Sequence, residues 1–152
     1  MDATDAKILD VLQADGALSP KDVAGKLGLD EKDCAARIKK LEDTGVITGR
    51  VALLDARKVG ANMTAFVAIT TAEHSKEWLK KFHAAVMSFP EVVEFYRMSG
   101  QVDYLLRVVV PDIDAYDAFY KKLIGAATLK DVSSTFAIEQ IKNTTKLPIS
   151  GG

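Results

Sequence analysis

The sequence predicts an α+β protein of two domains, a helix-turn-helix unit followed by a ferredoxin-like βαββαβ unit. Three observations carry that expectation. Apolar residues before Gly45 recur at helical spacing. From Asn62 onward, β-rich runs and helical stripes alternate as strand, helix, strand, strand, helix, strand. Between the two regimes, Asp55, Arg57, Lys58 and Gly60 mark a polar hinge. The expected division is a helical domain over 1–50, a hinge strand or linker over 51–61, and a sheet domain over 62–152.

Ile8, Leu9 and Leu12 form the apolar stripe of a first helix, with Asp2 as N-cap, Asp5 at N3 and Gly16 beyond its end. Ser19-Pro20 opens a second helix with Val23, Ala24 and Leu27 inward and Gly28 as its stop. After only Gly28-Leu29-Asp30 a third helix follows, over Asp30 to Asp43, with Cys34, Ile38 and Leu41 inward and Gly45 closing it. Val46 to Leu54 reads as an extended stretch.

Met63 to Thr70 is the first strand of the second domain. A helix capped by Ser75 turns Trp78, Leu79, Phe82, Val86 and Met87 inward, and Pro90 blocks its continuation. Val92 to Met98 and Asp103 to Val110 are the next two strands, joined by the turn Ser99-Gly100-Gln101-Val102. A second helix carries Tyr116, Phe119, Tyr120, Leu123 and Ile124, and the last strand runs from Asp131 to Ile141. Helices on one face leave the other face of the sheet in need of cover, which a second subunit supplies economically.

Composition narrows the function. With 48% hydrophobic residues, 27% charged residues and a net charge of −1, the chain is an ordinary globular sequence with no overall basic signature. No stretch has the length and apolarity of a membrane span. The acidic opening Met1-Asp2-Ala3-Thr4-Asp5 is unlike a secretory signal. The single Cys34 excludes a disulfide framework and a Cys-cluster metal site, and its apolar neighbour Ile38 makes it core packing. His74 and His83 are too few and too far apart for zinc. These features predict a cytoplasmic protein without cofactor or metal. No nucleophile–base pair or Gly-rich phosphate loop argues for an enzyme.

A helix-turn-helix presents its second helix to the DNA major groove. Here the outward positions of that helix are Lys32, Asp33, Ala36, Arg37, Lys39 and Lys40. The four cations suit phosphates, and the planar fork of Arg37 suits guanine. The same lysines also suit a plain solvated face, because Asp30, Glu31, Asp33, Glu42 and Asp43 lie among them.

The motifs resemble those of the Lrp/AsnC family of feast/famine transcriptional regulators across nearly the whole chain. Asp5-Ala6-Lys7-Ile8-Leu9 and Leu12-Gln13-Ala14-Asp15-Gly16 open the match. Leu18-Ser19, Val23-Ala24, Leu27-Gly28-Leu29, Cys34, Arg37 to Glu42 and Gly45 to Gly49 continue it. Gly100-x-x-Asp103-Tyr104, Val109-Val110-Pro111-Asp112 and Lys142-x-Thr144-Thr145-x-Leu147-Pro148 complete it. The resemblance implies a winged-helix-like DNA-binding domain, a ligand-sensing and oligomerising domain of the strand order read above, and dimers that commonly assemble to octamers. It further implies an amino-acid effector held between subunits at the 99–103 loop.

By that resemblance Ser99, Gly100 and Asp103 belong to the effector loop, with Asp103 placed to hold the ligand ammonium. Tyr96, Met98, Val102 and Tyr104 would be apolar walls, and Ser133, Ser134 and Thr135 would offer hydroxyls. The alternative role of Asp103 is a turn carboxylate satisfied by backbone N–H groups. Two departures stand out. The family's Ser/Pro-rich helix start is replaced by Asp30-Glu31-Lys32-Asp33, and its common aromatic residue by Val102. The expected function is a sequence-specific DNA-binding regulator responding to an amino acid or related small molecule. The alternative is an oligomeric small-molecule-binding module whose helices contact a protein.

Overall fold

The computed structural model describes residues 1–149. The terminal Gly151-Gly152 pair, read from the sequence within the second domain, lies outside them. The chain forms two compact units, one from Met1–Leu53 together with residues 142–149, the other from Leu54–Ile141. The sequence placed 142–149 with the sheet. The structure packs it against the helices, through side chains whose partners lie more than a hundred positions away.

In the first unit, α1 spans Ala3–Ala14, α2 Pro20–Leu27 and α3 Glu31–Asp43. Each start is capped as the sequence predicts. Asp2 and Asp5 exchange side chain-to-backbone bonds at 2.8 and 2.9 Å, a reciprocal capping box. Ser19 and Asp22 do the same for α2, and Asp30 accepts from the Asp33 N–H at 2.9 Å. Gly28 ends α2 at φ 67°, in the left-handed region that glycine enters without a Cβ clash. Gly45 ends α3 in the same way, and the Ile47 N–H returns to the Leu41 carbonyl at 3.0 Å. The core is Ile8, Leu9, Leu12, Val23, Ala24, Cys34, Ile38 and Leu41, the stripes read from the sequence.

The extended stretch after Gly45 differs from expectation. Val46 to Leu54 forms no strand. Its β-branched residues suit a pleat, but a strand exists only where a neighbour completes the ladder. Among the described residues no segment of this chain does so.

In the second unit, β1 spans Met63–Thr70, α4 Lys76–Met87, β2 Val92–Arg97, β3 Tyr104–Val110, α5 Ile113–Ala126 and β4 Asp131–Phe136. The four-stranded sheet has the order β2-β3-β1-β4, and every pairing is antiparallel. Ala65, Val67, Ile69, Tyr104, Leu106, Val108 and Val110 face the helices and join Trp78, Phe82, Val86, Tyr116, Phe119 and Leu123 in the core. Met87 and Ile124, expected inward, are 76% and 47% exposed. Each follows a buried residue by one position, and a 100° step carries it off the stripe. The last strand stops at Phe136 rather than Ile141. Its partner β1 begins at Met63, so the ladder ends with the Ala137 N–H on the Thr64 carbonyl.

The opposite sheet face carries two cross-strand rows, Tyr96–Leu105–Ala68–Ser133 and Glu94–Arg107–Phe66–Thr135. Phe66 and Tyr96 are 41% and 51% exposed. Arg107 and Glu94 pair at 2.9 Å, and the guanidinium holds the Glu94 carboxyl below the usual range.

Candidate functional site

The outer side of α3 is polar because the inner side takes every large apolar residue of the helix. Lys32, Asp33, Ala36, Lys39 and Lys40 are all exposed, as the sequence requires. Arg37 is different. Its Nε donates to Asp33 at 2.9 Å, and its Nη1 donates to Asp2 at 2.8 Å and to Asp5 at 2.9 Å. Its side chain is 29% exposed. The sequence expected an outward cation free for guanine or phosphate. In the structure the guanidinium is committed to three carboxylates, and of its nitrogens only Nη2 has no bond to them.

Sequence reasoning missed this cluster because Asp2 and Asp5 were read only as caps. The readable signal was an acidic helix start in a bundle whose third helix carries an Arg among its outward residues. The bond from Arg37 is the largest influence on Asp2, whose carboxyl falls to about 2. Asp5 is lowered chiefly by the Asp2 backbone N–H and further by Arg37. Arg37 itself is raised by the same bonds. Asp2, Asp5, Asp33, Ala36, Arg37 and Lys40 line a hollow of about 300 Å³.

Lys39 is partly spoken for by Asp43 at 2.7 Å, a pair one helical turn apart that raises the lysine. Among the described residues, Lys32 and Lys40 have no ion-pair partner and are the freest cations of α3. Arg50, which sequence reasoning also passed over, bonds Glu42 at 3.0 Å and the Gly16 and Leu18 carbonyls at 3.2 and 3.4 Å. It ties the stretch after α3 to the loop before α2.

The Cys34 thiol is fully buried and burial pushes it up, the behaviour of a packing residue. Among the described residues no group of three or more His, Cys, Asp or Glu could hold a metal. No helix among them is long and apolar enough to cross a membrane.

In the sheet unit, the 98–103 loop closes with the Met98 N–H on the Asp103 carbonyl at 2.8 Å. Gly100 turns the chain at φ 124°, where a side chain would be strained. The Asp103 N–H donates to the Ile69 carbonyl at 2.9 Å, and its Oδ2 accepts from the Thr71 N–H at 2.8 Å. That bond fixes the loop against the end of β1. It engages one carboxylate oxygen by a backbone donor, the simpler role weighed for this residue.

Tyr96, Met98, Ser99, Gly100, Ser133 and Thr135 are exposed, and Val102 and Asp103 are half-buried. Two expected site residues face the other way. Tyr104 is 2% exposed on the helix side, among Phe82, His83 and Phe95, and burial raises its phenol. Ser134 bonds the Tyr116 hydroxyl on that same side. The period of two along a strand explains both: neighbours of outward residues point inward. Tyr104 is a core residue, and Ser134 supports α5. Ser133 and Tyr96 share a face but stand on opposite edge strands, three strand spacings or about 14 Å apart. One copy of the sheet therefore does not gather the loop and the β4 hydroxyls around one small ligand.

Comparison with known proteins gives this geometry a family. Residues 1–42 match the AsnC-type helix-turn-helix domain, and residues 64–147 match the Lrp/AsnC ligand binding domain. The DNA-binding transcriptional activator DecR of Escherichia coli (strain K12) is 49% identical over 150 residues, covering 98% of this chain and 99% of that protein. The glutamate uptake regulatory protein of Zymomonas mobilis is 46% identical, with 98% and 91% covered. Among solved structures, an AsnC family transcriptional regulator from Agrobacterium tumefaciens superposes with a TM-score of 0.94 at 61% identity, covering 97% of each chain. A transcriptional regulator from Neisseria meningitidis, solved as an L-Met complex, gives 0.92 at 34% identity, covering 97% of this chain and 96% of that one. A helix-turn-helix with an outward polar third helix, followed by a ligand-binding sheet domain of this topology, places the chain in the Lrp/AsnC family of transcriptional regulators.

Proposed function

We propose that this chain is a sequence-specific DNA-binding regulator that acts in the cytoplasm by binding rather than by catalysis. Its sheet unit takes an amino acid or a related small molecule. The observation that carries the DNA half is the outer side of α3, where Lys32 and Lys40 stand free beside Ala36 and Lys39. Lysines at those positions suit phosphates, and the small Ala36 lets the helix approach the groove floor. Asp33 and Arg37 hold each other, and Arg37 also holds Asp2 and Asp5 at the start of α1, so this pair has a smaller direct share of the contact.

The effector half rests on the L-Met complex of the Neisseria meningitidis regulator, which shares this fold over almost its whole length. Tyr96 of β2 and Met98, Val102 and Asp103 of the 98–103 loop are the residues this half of the site draws on. A second copy laid on the open sheet face, over Phe66, Tyr96 and the Arg107–Glu94 pair, supplies a second wall. Homodimers built in this way suit further assembly to octamers and a pseudo-palindromic operator. Ligand bound at a junction between copies favours one assembly over another, and so changes which half-sites are engaged together.

Fluorescence anisotropy with a duplex from the gene's own upstream region, at low salt, tests the DNA half. Saturable, salt-sensitive binding supports it, and no binding removes it. A thermal-shift screen of the twenty amino acids tests the effector half. A second reading, in which the helices contact a protein, is favoured by the carboxylates of Asp2, Asp5 and Asp33 around Arg37. Retention by a protein and not by DNA would select it.

A further inference from the structure

The motif Lys142-x-Thr144-Thr145-x-Leu147-Pro148 has no part in the DNA or effector surfaces above, yet it is held in place. The Leu147 N–H donates to Gln13 Oε1 at 2.6 Å, and Gln13 Nε2 donates to the Leu147 carbonyl at 3.1 Å. A carboxamide carries one acceptor and one donor group side by side, so it satisfies a peptide unit as a neighbouring strand would. One residue earlier, Lys146 Nζ meets Asp10 Oδ1 at 3.1 Å. Two residues later, Ile149 packs against the core of the helical unit. Thr144 Oγ1 accepts from the Lys146 N–H at 3.1 Å and shapes the approach. These anchors, all to α1 or the core beneath it, lie beside a cleft of about 620 Å³ whose walls include Leu9, Leu12, Val51, Leu147 and Ile149.

The chain leaves the helical unit after Leu53 and re-enters it at Lys142, so two covalent crossings join the units. The second crossing starts at β4, whose Ser133 and Thr135 lie on the open sheet face. Only residues 137–141 separate the end of that strand from the anchored segment.

We propose that residues 142–149 are a strap that docks on the Asp10–Gln13 side of α1 and transmits the state of β4 to the helix-turn-helix. The role in regulation rests on the DNA-binding reading above, while the docking itself does not. A displacement of β4, by ligand or by assembly, pulls on α1 through the strap. Releasing the strap frees the second covalent crossing from α1, so that a displacement of β4 no longer pulls on it.

The test uses the full chain and the Gln13→Ala variant, with Lys146→Ala as a second. Alanine is a strong helix former, so Gln13→Ala retains α1. Hydrogen exchange at the Leu147 amide and trypsin cleavage after Lys146 report docking, and anisotropy with the upstream duplex reports DNA affinity. Docking predicts a protected amide in the unaltered chain. It also predicts at least about a tenfold rise in exchange and cleavage in Gln13→Ala, and a smaller rise in Leu147 amide exchange, the one readout that survives loss of the trypsin site, in Lys146→Ala. Transmission predicts a change of about threefold or more in DNA affinity in the released variants. An unprotected Leu147 amide, or no response to Gln13→Ala, overturns the strap. Release with unchanged DNA affinity overturns its regulatory role and leaves it a packing segment. Failure of the unaltered chain to bind DNA overturns that role together with the DNA reading, and the exchange result then judges the docking alone.

Discussion

The Arg37 guanidinium reaches the carboxylate of Asp2, 35 positions earlier in the chain, at 2.8 Å. The bond joins the start of α1 to the middle of α3, and Asp5 and Asp33 complete the grip. An arginine on the outer side of a recognition helix is thereby made into part of the scaffold. Arg37→Ala leaves three carboxylates facing one another, so it should lower the melting temperature of the helical unit as well as weaken DNA binding. Lys40→Ala should leave the melting temperature unchanged, weaken binding evenly across DNA sequences and reduce the salt slope by about 1. Melting followed by circular dichroism, paired with anisotropy over a salt series, separates the two. Equal effects on melting would remove the scaffold role of Arg37.

Asp33→Asn removes a negative charge from the start of α3 and loosens one bond to Arg37. It should tighten DNA binding several-fold at low salt and steepen the salt dependence by about one phosphate contact. Weaker binding by this variant would mean that Asp33 itself accepts from a base.

The Asp2 carboxyl lies at about 2, below its ordinary value of 3.8. Its charge is favoured more in the folded than in the unfolded chain. The stabilisation is therefore fully present above pH 4 or so, and is lost as pH falls through about 2. Carboxyl chemical shifts of Asp2, followed from pH 5 to pH 1.5, should show the depressed midpoint. In Arg37→Ala it should rise toward the ordinary range; a midpoint that stays put would assign the depression to the capping bonds alone.

Asp103→Asn keeps an oxygen able to accept from the Thr71 N–H but loses the charge. The loop should hold and the melting temperature should stay near that of the unaltered chain. The thermal shift produced by L-methionine, or by whichever amino acid the screen selects, should disappear. A preserved shift would confine Asp103 to its structural bond.

Phe82 is fully buried and packs its ring on Trp78 at a centroid distance of 4.8 Å, with Phe95 and Tyr104 also against it. Phe82→Ala should cost the sheet unit about 3–5 kcal/mol, the usual range for deleting a buried aromatic ring. Urea unfolding monitored through Trp78, the one tryptophan of the chain, measures it. A cost under about 1 kcal/mol would mean that the neighbouring rings close the cavity.

Local signals made most of the fold legible in advance. The caps at Asp2, Ser19 and Asp30 announce helix starts because the bond that makes each a cap reaches only the next turn, whatever else the side chain holds. The alternation in β1 and β3 marks which face meets the helices. What sequence reasoning could not reach were contacts decided by tertiary placement. Val46 to Leu54 has strand composition without a strand neighbour. Tyr104 and Ser134 sit one step out of phase with residues of the open face, and a motif match does not report phase. Arg37 reads as a free cation until α1 is brought against α3. The reciprocal bond between Gln13 and Leu147 joins residues with no shared pattern at all.

The return of residues 142–149 to the helices also orders events at the ribosome. The first 53 residues emerge early and contain every helix of the DNA-facing unit. Ile149, which packs on their core, is translated only after the whole sheet. The part of the molecule made first is thus completed last, and a nascent chain held short of Lys142 carries a reader head still missing one of its packing segments.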